Sequence, residues 1–531
     1  DHWTYNLDLI ESYLNVYPEK MRWIFFENKT FTFFDNTETV KPRSEKYFLK
    51  ENKVKQLHSL SPDNSKREII RKRLELAHVA RADYGLGEIY STTLLNKLLC
   101  LVANKLASLD AFGTGIEMEA DKPNWYDALN GLPALFGSSL CETLELKRLA
   151  IIIKNALETI KPGQIEVTEE VWGLLTGLNQ LIEDNLSEFD YWDKSYTLKE
   201  EYRHKTRLGL SGKEIVVTAG QLLLILDNTI KKLNKGISKA FNKDNGTYHG
   251  YFINEVTEYE TLKAPHVKPL AFKQAPLSLF LEPQVHALKT APDLKSAQNI
   301  YKAIRNCALY DKKLKMYKVT GSLKDMPEEI GRCRAFTRGW LEHESIWLHM
   351  EYKLFLEALK KGLYKEFYED FRNGLIPFQK PQRYGRSILE NSSFLVSSVF
   401  PDKKLHGNGF VARLSGSTAE LIHIWLIMSA GEKPFYLDEK GRLALKFEPK
   451  LAGWLFDKNN SYSFNFLSKV RVTYHNKARK DTFGPNAAKI TNISVVDENS
   501  KIIEISGNVI PSETALKIRG RRISKIDIYL K

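Results

Sequence analysis

The sequence predicts a mainly α-helical chain, a closed toroid of helix pairs over residues 1–430, followed by an all-β sandwich or jelly-roll domain over residues 431–531. Three observations carry this. Apolar residues recur at helical spacing in one segment after another as far as about Gly431. Long polar loops separate those segments, and from Lys433 onward the apolar period drops to two, with turn residues at regular intervals.

Asn6 to Tyr17 places Leu7, Leu9, Ile10 and Leu14 at helical spacing, and Leu94 to Leu109 repeats it with Leu94, Leu98, Leu101 and Val102. Glu142 to Ile160 reads as a long helix stopped by Lys161, Pro162 and Gly163. Further helices are expected at Thr168 to Leu186, Ala219 to Asn234, Glu344 to Lys361 and Tyr364 to Asn373. Residues 244–265 break the pattern: Asn245 and Gly246 form a turn signal between aromatic and β-branched residues, so a β-hairpin insertion is expected there. LALKFEP, YSFNFLS, KVRVTYH, KITNISVV, KIIEISGNVI and KIDIYL read as the strands of the terminal domain.

With 43% hydrophobic and 27% charged residues the chain is globular and can bury a sizeable core. Its nine Trp and 24 Tyr suit a carbohydrate cleft, although most such rings fill cores. Lys plus Arg is 78 against 65 Asp plus Glu, a formal +13, which favours acidic partners such as phosphate. The basic residues are scattered, and short clusters such as Lys231–Lys232 or Arg519, Arg521 and Arg522 mark solvated faces. No nucleic-acid module accompanies them, so no nucleic-acid partner is expected. Cys100, Cys141, Cys307 and Cys333 are isolated, with no metal-ligand spacing, which points away from disulfides and structural zinc and toward a reducing cytoplasm. No apolar run approaches the ~20 residues of a membrane span, and no membrane association is expected.

The chemistry concentrates between Glu117 and Ser139, EMEADKPNWYDALNGLPALFGSS. Pro123 and Pro133 keep this stretch out of a long helix, and polar loops carry sites. Trp125 and Tyr126 precede Asp127 and could wall its carboxyl off from water, which would favour the protonated form a general acid needs. The plainer alternative is that Asp127 caps the turn Ala128 to Gly131. A second constellation lies in RAFTRGWLEHESIWLHM, which gathers Arg334, Arg338, Trp340, Glu342, His343, Glu344 and His349. In a third segment, Ser417 to Glu420 spell a capping box, with Ser415 and Gly416 just before it. Backbone N–H groups at such a helix start, beside hydroxyls and Arg413, suit an anion such as phosphate.

With those residues laid out, the chain resembles the inverting glycoside phosphorylases of the cellobiose phosphorylase family, glycoside hydrolase family 94 or a close relative, and most of all their long members acting on β-oligoglucans. The family's general-acid motif, a Trp and an Asp one residue apart followed by a small or apolar pair and Asn, stands here as Trp125, Asp127, Ala128, Leu129 and Asn130. The family's phosphate-binding His and the Glu that opens its segment fall on His349 and Glu342, and the Thr-Gly pair of its phosphate site on Ser415 and Gly416. Leu341, His343 and Tyr126 depart from the family's Lys, Asn and Asn. An Arg- and Asp-bearing family segment corresponds to Asp1 to Asp8, where its Arg is lost unless His2 or Arg43 takes over. The family's amino-terminal β-sandwich is missing and the chain opens on DHWTYNLD, so it is expected to be a carboxy-terminal fragment.

The resemblance implies an (α/α)6 barrel and phosphorolysis of 1,2-β- or 1,3-β-linked glucose oligosaccharides to α-glucose 1-phosphate. Asp127 would be the catalytic acid. His349, Arg413, Ser415 and Gly416 would bind phosphate, and Asp1, Tyr5, Glu119, Trp125, Asn130, Trp340 and Glu342 the sugar. Inorganic phosphate would be the co-substrate, with no other cofactor and no metal, and a homodimer is compatible with the family. Because phosphate is itself an anionic nucleophile, the second carboxylate of an inverting hydrolase can give way to an anion cradle. The alternatives are an inverting hydrolase on the same barrel, with Glu117, Glu119 or Glu342 activating water, and a non-catalytic glycan-binding protein.

Overall fold

The computed structural model describes every residue except Asp1, Pro123, Asn124, Trp125, Arg413 and Leu414, and leaves the side chains of His2, Ala412 and Ser415 undescribed. Its main helices are α1 (His2–Leu14), α2 (Leu94–Leu106), α3 (Leu140–Ile160), α4 (Glu169–Glu183), α5 (Glu188–Lys205), α6 (Ala219–Lys239), α7 (Leu281–Lys289), α8 (Leu294–Asn306), α9 (Leu348–Lys360), α10 (Tyr364–Gly374), α11 (Ser415–Ala430) and α12 (Ser512–Arg519). Helices α2, α3, α7, α9 and α11 pack side by side in that order as an arc, backed by α4, α6, α8 and α10. Helix α9 is buried nearly all round: His349, Glu351 and Glu357 are buried together with Leu354 and Phe355. Charges so placed must find partners inside the protein. Helix α1 answers this with a polar face, on which Asp8 and Glu11 meet Arg148 of α3 and Tyr5 meets His349 of α9.

The strands that frame the arc's loops are short. Ile116–Glu117 (β1), Ser138–Ser139 (β2), Tyr251–Thr261 (β3) and Val267–Pro276 (β4) form one sheet in the order β4-β3-β2-β1. Ile346–Trp347 (β5), Ser392–Leu395 (β6) and Gly409–Ala412 (β7) form another. The last hundred residues add a three-stranded sheet of β8 (Phe435–Leu437), β9 (Leu443–Lys446) and β14 (Val509–Ile510). They also add a five-stranded sheet in the order β10 (Ser461–Phe466), β11 (Val470–Asn476), β15 (Ile523–Leu530), β12 (Ile490–Asp497), β13 (Ile502–Ser506). The two sheets face each other through rings, Phe435 stacking on Phe466 at 5.9 Å between centroids. One hydrophobic core runs without interruption from α7, α9 and α11 into these strands.

Several elements differ from the sequence reading. Residues 15–93 are not mainly helical: Pro18, Pro42 and Pro62 interrupt them, and six short strands with one eight-residue helix, Asn64–Arg71, take their place. The Asn245–Gly246 turn joins only the two-residue strands Phe241–Asn242 and Thr247–Tyr248, while the long hairpin is β3 with β4, reaching Pro276. Helix α9 starts at Leu348 rather than Glu344, because Ile346 and Trp347 pair with Leu395 and Phe394 as strand. The terminal region is not purely β, since α12 intervenes before β15, and β15 pairs in parallel with β11. The sequence reading did not single out α5, α7 and α8; Ala297, Tyr301 and Ile304 of α8 do stand at helical spacing, whereas α5 is an aromatic and charged run capped by Ser187, whose hydroxyl accepts from the Asp190 N–H at 3.1 Å.

Candidate active site

Asp127 opens a single 3-10 turn, Asp127–Leu129, whose orientation follows from what its neighbours bury. Ala128 and Leu129 are fully buried, and the Tyr126 ring stands edge-on to Phe280 at 5.3 Å and to Tyr251 at 6.0 Å. With those three side chains turned inward, the Asp127 carboxylate faces outward, 75% exposed, and accepts a hydrogen bond from Arg332 Nη2 at 3.0 Å. The dry wall expected from the flanking rings is therefore not built: Tyr126 is spent on the core, and Trp125 lies outside the described residues. The Arg332 turn is itself clamped on this segment. Asn130 Oδ1 accepts from the Arg332 N–H at 3.1 Å, and Gly331, at φ +128°, passes so close that a Cβ there would lie 2.6 Å from that oxygen.

A cavity of about 200 Å3 joins Asp127 to the second constellation; Tyr126, Val319, Glu342, Trp347, His349 and Met350 complete its wall. Glu342 is half-buried, and burial, helped by the Asp127 carboxylate, pushes its carboxyl above the usual range. His349 sits in the first turn of α9, with its Nε2 2.5 Å from the Tyr5 hydroxyl and 3.7 Å from Glu420 Oε1. Burial, with the nearby Lys353 ammonium, lowers the imidazole's pKa, so the ring is neutral near pH 7. Burial opposes charge on Glu420 as well, but the His349 contact and Lys353 overcome it and hold the carboxylate below its ordinary value.

Gly416 touches this imidazole directly. A Cβ built on it would lie 2.5, 2.6 and 2.7 Å from Cε1, Nδ1 and Nε2 of His349, so only glycine lets the start of α11 approach the ring. The capping box expected from Ser417 to Glu420 does not form: α11 is helical from Ser415, Ser417 lies within its first turn, and Glu420 points to His349 and Tyr5 instead. Arg413 lies outside the described residues, as does Asp1, and the Ser415 side chain is undescribed.

Other expected site residues lie elsewhere. Trp340 is taken up by a ring cluster with Phe394, Phe400 and Phe410, the last at 4.6 Å. His343 is an internally satisfied histidine, accepting from the Leu323 N–H at 3.0 Å and bonded through Nδ1 to the Phe336 carbonyl. Glu344 is buried between Lys318 and Arg338. Glu119 and Glu117 line a separate cavity, Glu119 in an ion pair with buried Lys46. Arg43 is held by Asp193 at 2.7 Å and by the Tyr196 ring. Beside α1 the Arg148 guanidinium meets Asp8, Glu11 and Glu145.

Behind the cavity, His286 of α7 lies 3.1 Å from Glu145 and 3.8 Å from Glu282, and Tyr251 donates to Glu282. Burial works against charge on His286, yet the two carboxylates raise its pKa, so this buried cluster keeps its charges by pairing them. Sequence reasoning missed Arg332, Trp347, Met350 and this cluster, none of which stands at a motif spacing. Among the described residues no group of three or more His, Cys, Asp or Glu is placed to hold a metal ion, and no helix is long and apolar enough to cross a membrane.

No protein-family model and no curated protein matches the chain. Among solved structures it is similar to the GH63 mannosylglycerate hydrolase from Thermus thermophilus in complex with glucose, at 10% identity over 68% of this chain and 99% of that one, with a TM-score of 0.24. It is also similar to an uncharacterized conserved protein from the same organism, at 10% identity over 62% of this chain and 92% of that one, again with a TM-score of 0.24. At that score the likeness carries no weight for fold or chemistry, which rest on the chain's own geometry.

Proposed function

We propose that the chain breaks β-linked glucose oligosaccharides with inorganic phosphate and inversion, giving α-glucose 1-phosphate and a shortened chain. We propose further that α1 completes the arc α2, α3, α7, α9 and α11 into the six-membered inner ring of an (α/α)6 barrel. One observation carries the functional reading: Asp127 and His349, more than two hundred positions apart in sequence, line one cavity, and the start of α11 packs on the imidazole through Gly416. The first-turn N–H groups of a helix have no intrahelical acceptor and face an anion favourably, so phosphate is placed in the cavity beside His349, near the start of α11 and not between the two.

In this reading a phosphate oxygen forms its bond to the anomeric carbon while the glycosidic C–O bond opposite it breaks, and the Asp127 proton passes to the departing oxygen. Arg332 pairs with Asp127 at 3.0 Å. A sugar in the cavity must displace that guanidinium and dry the carboxyl before it can serve as acid.

The environment of Glu342 favours a second reading. Its raised pKa makes it the carboxyl of this cavity suited to hold a proton, and an ionised Asp127 would then be the base of an inverting hydrolase. The test is to incubate the protein with sophoro- and laminari-oligosaccharides, with and without phosphate, and to follow both glucose and α-glucose 1-phosphate. Phosphorolysis predicts sugar phosphate only when phosphate is present, and chain growth when the reaction runs backward. Glucose release at equal rate without phosphate refutes it and leaves hydrolysis.

A further inference from the structure

We infer that the cavity of about 320 Å3 beside Glu117, between α1, α2 and α5, is a binding site for a sugar unit of the oligosaccharide that is not itself cleaved. Its wall includes Trp3, Asn104, Glu117, Tyr196, Lys199 and Arg203. Two polar atoms there are buried without a partner in the folded chain: one carboxylate oxygen of Glu117 and Nη1 of Arg203. The other Glu117 oxygen is satisfied by the Trp192 indole N–H at 2.8 Å, and the buried Lys199 ammonium has one hydrogen bond, to Ser108 at 3.1 Å. Unsatisfied buried groups are destabilising, so an orphaned acceptor and an orphaned donor on one wall call for a ligand that supplies both roles.

The charges of the wall narrow the choice. An anion would meet Glu119 and Glu142, and a cation would meet Lys105, Lys122 and Arg203. A neutral hydroxyl both donates and accepts, and neighbouring hydroxyls of a pyranose can answer Glu117 and Arg203 together, with the Trp3 indole against the ring's apolar face. Burial also pushes Glu117 up to about 7 and Lys199 well below the usual ammonium range, so neither imposes a full charge on a neutral guest. A small cavity lined by Tyr126, Met118, Trp3 and Glu142 lies between this site and the reaction cavity, sharing Tyr126 with one and the other three with the other.

This inference rests on the proposed glucan substrate but not on the nucleophile. Its test is calorimetric titration of the Asp127→Asn protein, without phosphate, with β-1,2- and β-1,3-linked glucose oligosaccharides of two to five units. Affinity is expected to rise at least tenfold from the disaccharide to the longer chains, and Arg203→Met is expected to remove that rise. Should Arg203→Met fail to fold, Trp3→Leu serves as the second variant and is expected to do the same. Equal affinity at every length, no binding of any oligosaccharide, or a rise that survives both variants overturns the site. Length-dependent binding without phosphorolysis in the unmutated protein would retain the site and reject the reaction, so the two failures are distinguishable.

Discussion

Replacing Gly416 with Ala adds one methyl group and should disable the site while leaving the fold largely intact. The new Cβ would sit 2.5–2.7 Å from three ring atoms of His349, whereas carbon contacts settle near ~3.5–4.0 Å, so ring or helix must yield by about 1 Å. The ring has little room: it is 7% exposed and held through Nε2 by the Tyr5 hydroxyl at 2.5 Å. Overpacking of this kind costs about 1–3 kcal/mol. The helix-propensity gain of Ala over Gly, at most about 1 kcal/mol, offsets only part of it. If the strain is relieved by moving the imidazole, phosphate loses its contact, and kcat/KM for phosphate should fall about 10- to 100-fold at about 1.4 kcal/mol per decade. Gly220 is a matched control: it too is the second residue of its helix, but nothing lies within 3.8 Å of its Cβ position, so Gly220→Ala should leave activity unchanged and raise stability slightly. Initial rates at varied phosphate, with thermal melts of both variants, decide the matter. Unaltered kinetics in Gly416→Ala would refute the placement of phosphate against His349.

Other expectations follow from the same contacts. Asp127→Asn should abolish cleavage with the circular dichroism spectrum unchanged, since the carboxylate is exposed and its one described partner is the surface residue Arg332. Arg332→Met should leave folding intact, because that exposed pair contributes less than about 1 kcal/mol. It should also change kcat for cleavage, which a purely structural role would not do. Tyr5→Phe removes a hydroxyl bonded to His349 beside buried Glu420 and should cost about 1–3 kcal/mol in urea denaturation. Glu351 is fully buried, one of its oxygens has no partner, and burial raises its pKa well above the ordinary value. Because that pKa is raised in the folded state, folding holds a proton that unfolding releases, and stability falls as pH climbs from the unfolded to the folded pKa. Glu351→Gln keeps an acceptor for the Tyr317 N–H and should gain on the unmutated protein by about 1.4 kcal/mol per pH unit in that window, read from urea midpoints. A constant difference across pH would show that the carboxyl is ionised in place.

The sequence by itself determined the local elements whose signals are local. Leu94, Leu98 and Val102 at helical spacing, the Lys161–Gly163 stop and the alternating segments after Lys433 each correspond to an observed helix, helix end or strand. It also singled out Asp127, Glu342, His349 and Gly416, because motif spacing survives in one dimension. Only the tertiary structure decided which of the neighbouring residues share the cavity. Trp340, His343 and Glu344 stand in the same stretch as Glu342, yet packing and pairing with Phe410, Leu323 and Lys318 claim them. Glu420 has the spacing of a cap and becomes a partner of His349, because α11 begins two residues before Ser417. Tyr126, Ala128 and Leu129 bury their side chains, and that turns the Asp127 carboxylate toward Arg332, a residue 205 positions away. Burial and charge pairing depend on what other segments bring to a point in space, and no periodicity within one segment carries that information.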